Sequence, residues 1–149
     1  MSAEIKTVTD IHAIGQAQWD KCAGTDNPFV SFAFLSAMED SASTTAQTGW
    51  QPFHLVLNDD AGQAVGIVPL YVKAHSYGEY VFDWSWAEAY ERAGGRYYPK
   101  LQSSVPFSPV PGPRLLVADD HPDPCLLYTS DAADDSLRVD LGGRRIIKK

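Results

Sequence analysis

Two spacings of apolar residues, one helical and one strand-like, run through the first 124 residues of this chain. Residues 5–8 alternate weakly and predict a first strand. Asp10 is a good N-cap for a helix over residues 11 to about 23, with Ile11, Ile14, Trp19 and Cys22 as an imperfect apolar stripe. The turn residues at 24–28 predict a loop, and Ser31 then caps a second helix to about Ser43, with Phe34, Leu35, Met38 and Ala42 at helical spacing. Residues 41–49 form a small, polar linker. Residues 54–58 and 64–72 predict two strands, and Asp59-Asp60-Ala61-Gly62 between them has hairpin-turn chemistry. Pro69 has no N–H to give to a ladder, which predicts an edge or a bulge there. Asp83 can cap a helix from Trp84 to Ala93, and Gly94-Gly95 supplies a left-handed stop. Residues 101–105 and 114–117 are short strand candidates across a proline-rich connection at 106–113. Interspersed helices and strands place the chain in the α/β or α+β class.

Beyond residue 124 the pattern disappears. Of the 17 aromatic residues only Tyr128 lies there, and neither period survives. The charge also changes sign. Residues 1–124 hold seven Lys/Arg against fifteen Asp/Glu, and residues 125–149 hold five against four. Residues 125–135 and 139–147 resemble, at the correct spacing, the translated ends of a transposon-derived sequencing adapter. Ser136, Leu137 and Arg138 fall where the variable index sits. The competing reading is a genuine, slightly basic tail. The adapter reading gives two segments: residues 1–124 as a partial domain, and 125–149 as a non-native tail without fold. The natural protein is then expected to part from this sequence at about Pro124.

The whole chain of 149 residues carries a net charge of −7. An acidic chain without a basic cluster argues against DNA as a partner. No apolar run approaches the ~20 residues of a membrane helix. The N-terminus has neither a basic nor an apolar signal region, which leaves a cytoplasmic location as the expectation. Cys22 and Cys125 give no metal framework, so no metal site is expected. Cys22, on the apolar stripe, reads as a buried small hydrophobe.

Eight of the aromatic residues fall between Tyr77 and Tyr98. Buried Tyr and Trp need hydrogen-bond partners. Their interleaving with His75, Glu79, Asp83 and Lys100 therefore suggests a pocket wall, apolar with a few placed polar groups. The alternative is a helix that packs its aromatics on a sheet.

The segments NPFVSFAFLSAMEDS, TGWQPFHLVL, AVGIVPLYVKAHSYGEYVFDWSWAEAY and AGGRYYPKLQSSVPFSPVPGPRLL resemble the opening of the bacterial FemAB-like proteins of peptidoglycan biosynthesis/recognition, placed among the GNAT-type N-acyltransferases. The resemblance covers residues 10–117 and is most specific from His75 to Leu116. It implies the N-terminal part of a GNAT-like fold, a mixed, mainly antiparallel sheet with flanking helices. It also implies acyl or aminoacyl transfer to an amine, with a peptidoglycan precursor as a possible acceptor and acyl-CoA or aminoacyl-tRNA as co-substrate. Such domains hold the donor's pyrophosphate on a glycine-rich turn opening a helix, with a Gln/Arg-x-x-Gly-x-Gly/Ala signature. That signature is missing here, and Arg92-Ala-Gly-Gly-Arg96 reads as a helix end. No cofactor site is therefore expected in this chain, the donor site is expected in a missing C-terminal half, and the fragment is expected to be inactive.

Within that chemistry Glu79 or Asp83, four residues apart, can orient an amine or act as a base. Asp83 has a competing reading as a helix N-cap. His75 can shuttle a proton or be a hydrogen-bonded histidine at a strand end. Tyr77, Tyr80, Trp84 and Trp86 can line an acceptor groove, although Trp84, spaced with Ala87, also reads as core. Tyr97, Tyr98 and Lys100 can contact a carboxylate or phosphate. Lys73 and Arg96 read as surface charges. The rival function is a non-catalytic peptide- or glycan-binding module that uses the Tyr/Trp cluster.

Overall fold

A computed structural model describes residues 4–77, 79 and 83–120. The readings for Tyr80, Cys125 and residues 125–149 lie outside the described residues. The fold is α+β with antiparallel sheets. Its strands are β1 (Glu4–Val8), β2 (Trp50–Pro52), β3 (His54–Asn58), β4 (Ala64–Val68), β5 (Tyr71–Lys73), β6 (Lys100–Gln102) and β7 (Leu116–Val117). Its helices are α1 (Gln16–Ala23), α2 (Phe32–Asp40) and α3 (Trp84–Arg92). One sheet has the order β1-β3-β4-β7 and the other β2-β5-β6, all pairs antiparallel.

Both sheets are cut from one long hairpin. Its turn is tied by Asp59, whose Oδ1 accepts the N–H groups of Ala61 and Gln63, both at 2.9 Å. The strand pair β3/β4 bends into β2/β5 at Phe53 and Pro69-Leu70, with the Phe53 N–H donating to the Leu70 carbonyl at 2.9 Å. Register is unbroken through the bend, with Leu55 opposite Val68 on one side and Pro52 opposite Tyr71 on the other. Pro69 thus marks a bend where two sheets part. The register shift lies at Leu57/Asn58 instead.

The single helix expected over residues 11–23 is two pieces. Asp10 Oδ1 accepts the His12 N–H at 2.8 Å and caps a 3-10 turn over Ile11–Ala13. Gly15 then takes a φ of +83°, a conformation that breaks the helix and that glycine adopts without strain. Helix α1 restarts beyond it. Ser31 caps α2 as expected, its Oγ accepting the Phe34 N–H. The expected stop after α3 forms at Gly94, with φ +82°.

Helices α1 and α2 cover the first sheet. Ile11, Trp19, Leu35, Val56, Ile67 and Leu116 are all buried between them. Cys22 lies in this core, as its apolar position predicts, and burial pushes its thiol up to about 11. The buried polar member is His54. Its Nδ1 accepts the Leu70 N–H, so the ring proton sits on Nε2 and donates to Glu39 Oε1 at 2.9 Å. Glu39 Oε2 in turn accepts the Ile11 N–H at 3.0 Å. One carboxylate at the end of α2 therefore ties down the 3-10 turn and the hairpin.

Replacing that carboxylate strands a buried imidazole N–H and a backbone N–H, each at about 1–3 kcal/mol. Glu39→Ala should lower the unfolding free energy by about 2–5 kcal/mol in urea titration. Glu39→Gln, which keeps one of the two acceptor oxygens, should lose about half as much. Equal losses would reject this account.

Candidate functional site

Register places two cations face to face. Lys73, the last residue of β5, stands opposite Lys100, the first of β6. Like charges directly opposed across an antiparallel pair destabilise it. The 26 residues between them include α3, and this excursion returns one carboxylate to each lysine.

Asp83 serves Lys100. Lys100 Nζ and Tyr97 OH donate to Oδ2, the latter at 2.7 Å. Ser76 Oγ and Tyr98 OH donate to Oδ1, the latter at 2.8 Å. Burial opposes the charge on Asp83, but the four donors outweigh it and hold the carboxyl well below the usual range. Burial, with donation to Asp83, pushes the Tyr98 phenol up to about 12 and raises that of Tyr97. The Lys100 ammonium also lies 5.0 Å from the centre of the Tyr97 ring.

Glu79 serves Lys73. The Lys73 side chain is fully buried, with its Nζ 2.7 Å from Glu79 Oε1 and 3.6 Å from the centre of the Trp50 ring. Burial lowers its affinity for a proton, Glu79 works against that, and Lys100 adds to it. Among the described residues Lys73 Nζ and Glu79 Oε1 have no polar partner beyond one another. The buried Trp50 Nε1–H likewise has no acceptor.

Beside this pair lies a cleft of about 200 Å³, lined by Trp50, Glu79, Gln102, Ser104, Phe107 and Pro109 among others. Clefts that take nucleotide- or drug-sized molecules run to roughly 300–1,000 Å³. This one suits a smaller group.

The residues singled out in the sequence thus divide into two sets. Glu79, Asp83, Tyr97, Tyr98 and Lys100 converge on the end of β5 and β6. His75 and Tyr77 face elsewhere. The His75 ring lies against Gly49, where an added Cβ would come within 2.6 Å of Nε2, and its Nδ1 accepts the Tyr77 N–H. Tyr77, Trp84 and Trp86 are 61%, 49% and 60% exposed. Three expectations are corrected. Asp83 stands at the N-cap position, but its side chain makes no capping bond because four other donors hold it. Trp84 is not core, since α3 buries no residue. Lys73 is no surface charge. Sequence reasoning missed Ser76 and Trp50 as well. The available signal for Lys73 was the two-residue strand period, which places it on the same face as Tyr71.

A family model described as FemAB-like, peptidoglycan biosynthesis/recognition, matches residues 10–134. No curated protein and no solved structure matches the chain.

Because the folded Asp83 carboxyl titrates below its unfolded range, its contribution is fully present above about pH 4 and lost as pH falls below that. Asp83→Asn should cost about 2–4 kcal/mol at pH 7 and flatten the acid limb of a stability-versus-pH curve. An unchanged acid limb would show that this carboxylate is not the titrating group.

Proposed function

The chain belongs to the FemAB-like family of peptidoglycan biosynthesis/recognition, and from that premise we propose that its parent protein is an N-acyltransferase, moving an acyl or aminoacyl group onto an amine of a cell-wall precursor. This chain contributes the surface that recognises the acceptor. The observation carrying the reading is the cleft beside the Lys73–Glu79 pair, polar and aromatic and below the size of a nucleotide-bearing donor. The glycine pair at 94–95 supports the same division of labour. It closes α3 instead of opening a helix, so its N–H groups are not arrayed to cradle a pyrophosphate.

In this reading the donor site and the rest of a GNAT-like fold lie beyond Pro124 of the parent protein, and residues 125–149 are foreign to it. The acidic balance of residues 1–124 leans the reading slightly toward acyl-CoA over tRNA as donor, because phosphate contacts to tRNA call for basic residues. A cytoplasmic setting is part of the same proposal. The exposed rings of Tyr77, Trp84 and Trp86 favour a second reading, a module that holds a peptide or glycan without catalysis.

Donor binding separates the two. The parent protein, titrated calorimetrically with acyl-CoA thioesters and then incubated with an amine-bearing stem peptide, should bind a donor saturably and yield acylated peptide by mass spectrometry. The present chain should yield none. A parent protein that takes up no donor, from acyl-CoA to aminoacyl-tRNA, would overturn the transferase and leave the binding module.

A further inference from the structure

Phe107 holds a backbone conformation that its side chain disfavours. Its φ is +58°, in the left-handed region that glycine tolerates and a bulky residue rarely takes. It follows Pro106, and the Ser108 N–H donates to the Val105 carbonyl at 3.4 Å, long for such a bond. Proline in second place and a positive φ in third are the marks of a type II turn, whose third place normally goes to glycine. Phenylalanine there strains the turn.

The same residues leave the chain one place to pivot. Ring closure fixes φ at Pro106 and at Pro109. Val105 and Ser108 each precede a proline and are biased to extended backbone. Between them Phe107 alone keeps two soft torsions. The chain is anchored on both sides of it. Val105 and Pro106 are buried, and the Ser103 hydroxyl donates to the Pro69 carbonyl at 2.8 Å. Beyond the turn, Arg114 Nη2 donates to the Val110 carbonyl at 3.0 Å. A rotation at Phe107 is therefore confined to a few residues.

The ring offsets the strain. Phe107 packs against Trp50 with 5.2 Å between ring centres, and both line the cleft. Under that contact Trp50 is 1% exposed and its indole N–H is buried. Aromatic packing favours the turn and backbone strain opposes it, and the two effects are of the same order. Opposed terms of similar size make two states of similar free energy.

We propose that Phe107 is a gate on the cleft. In the closed state its ring covers Trp50. In the open state Phe107 relaxes to extended backbone, the turn is released, and the ring leaves Trp50, so that the recess reaches the indole. As regulation of the acceptor-recognising cleft the gate rests on that reading, and as a motion of the chain it does not.

The test is hydrogen exchange at the four indole N–H groups, followed by 15N NMR on the full chain. Trp50→Phe assigns the resonance of Trp50. Trp19, whose Nε1–H donates to the Val30 carbonyl at 2.8 Å in the helical core, reports opening of the whole fold. Trp50 should exchange at least tenfold faster than Trp19. The Phe107 and Ser108 amides should show relaxation dispersion, the signature of exchange between states in microseconds to milliseconds. Phe107→Gly removes the ring and suits the turn. It should speed Trp50 at least a further tenfold, leave Trp19 within twofold, and abolish the dispersion. Phe107→Tyr keeps the ring and should leave Trp50 within threefold of its original rate. Trp50 exchange no faster than that of Trp19 without dispersion at 107 and 108, or Trp50 and Trp19 quickening together in Phe107→Gly, would overturn the gate. Neither donor nor acceptor enters this test. Gating in a parent protein that takes up no donor keeps the gate and removes the transferase. Acyl transfer by a parent protein whose Trp50 exchanges no faster than Trp19 does the reverse.

Discussion

Burying an ammonium costs several kcal/mol unless it is paired, and Lys73 is buried completely, directly across a strand pair from Lys100. Much of the second sheet's surroundings follows from that requirement. The chain leaves β5, places Ser76 near Asp83, brings Glu79 back to Lys73, and then presents Asp83 to Lys100 before β6 begins. Each lysine thereby has a carboxylate of its own, Glu79 for Lys73 and Asp83 for Lys100. Tyr97 and Tyr98 complete the arrangement by giving their hydroxyl protons to Asp83. Helix α3 is carried on this excursion and buries no side chain of its own. Its position depends on the ion pairs at its root more than on packing.

A second buried polar group links the two sheets. The rings of Trp19, His54, Tyr71 and Trp50 meet edge to face in sequence, at 5.2–5.4 Å between centres. The first belongs to the helical core and the last lines the cleft. Glu39 fixes His54 in the middle of this file. The core that makes the domain stable and the wall that gives it a ligand-sized recess are therefore continuous packing.

Elements with a strong local cause could be read from the sequence. The Asp59 turn, the Ser31 cap and the stop at Gly94 each rest on chemistry within four residues of themselves. The break at Gly15 was harder to read, because an apolar stripe ran across it and periodicity outweighed one glycine. Asp83 shows the limit more clearly. An aspartate before a helical run caps that helix when nothing competes, but Tyr97, Tyr98 and Lys100 lie 14–17 residues away and offer more. Glu79, Asp83, Tyr97, Tyr98 and Lys100 stand out from the sequence by residue type alone. That they serve two opposed lysines follows from strand register, which no local pattern carries.

Beyond the shift at Leu57/Asn58 the register of the hairpin is unbroken, and that has a consequence far from its turn. Side chains in a strand alternate in sides, so a slip of one residue turns every later side chain over. The bend at Pro69 contains no extra residue to absorb such a slip. The Asp59 turn and the shift at Leu57/Asn58 together thus help decide, roughly 30 Å along the chain at about 3.3 Å per residue, whether Lys73 points into the protein or out to water. Chain length between the turn and Lys73 behaves as a ruler. A deletion or insertion there, even of a residue that touches nothing, would turn Lys73 toward water and leave Glu79 without its counter-charge.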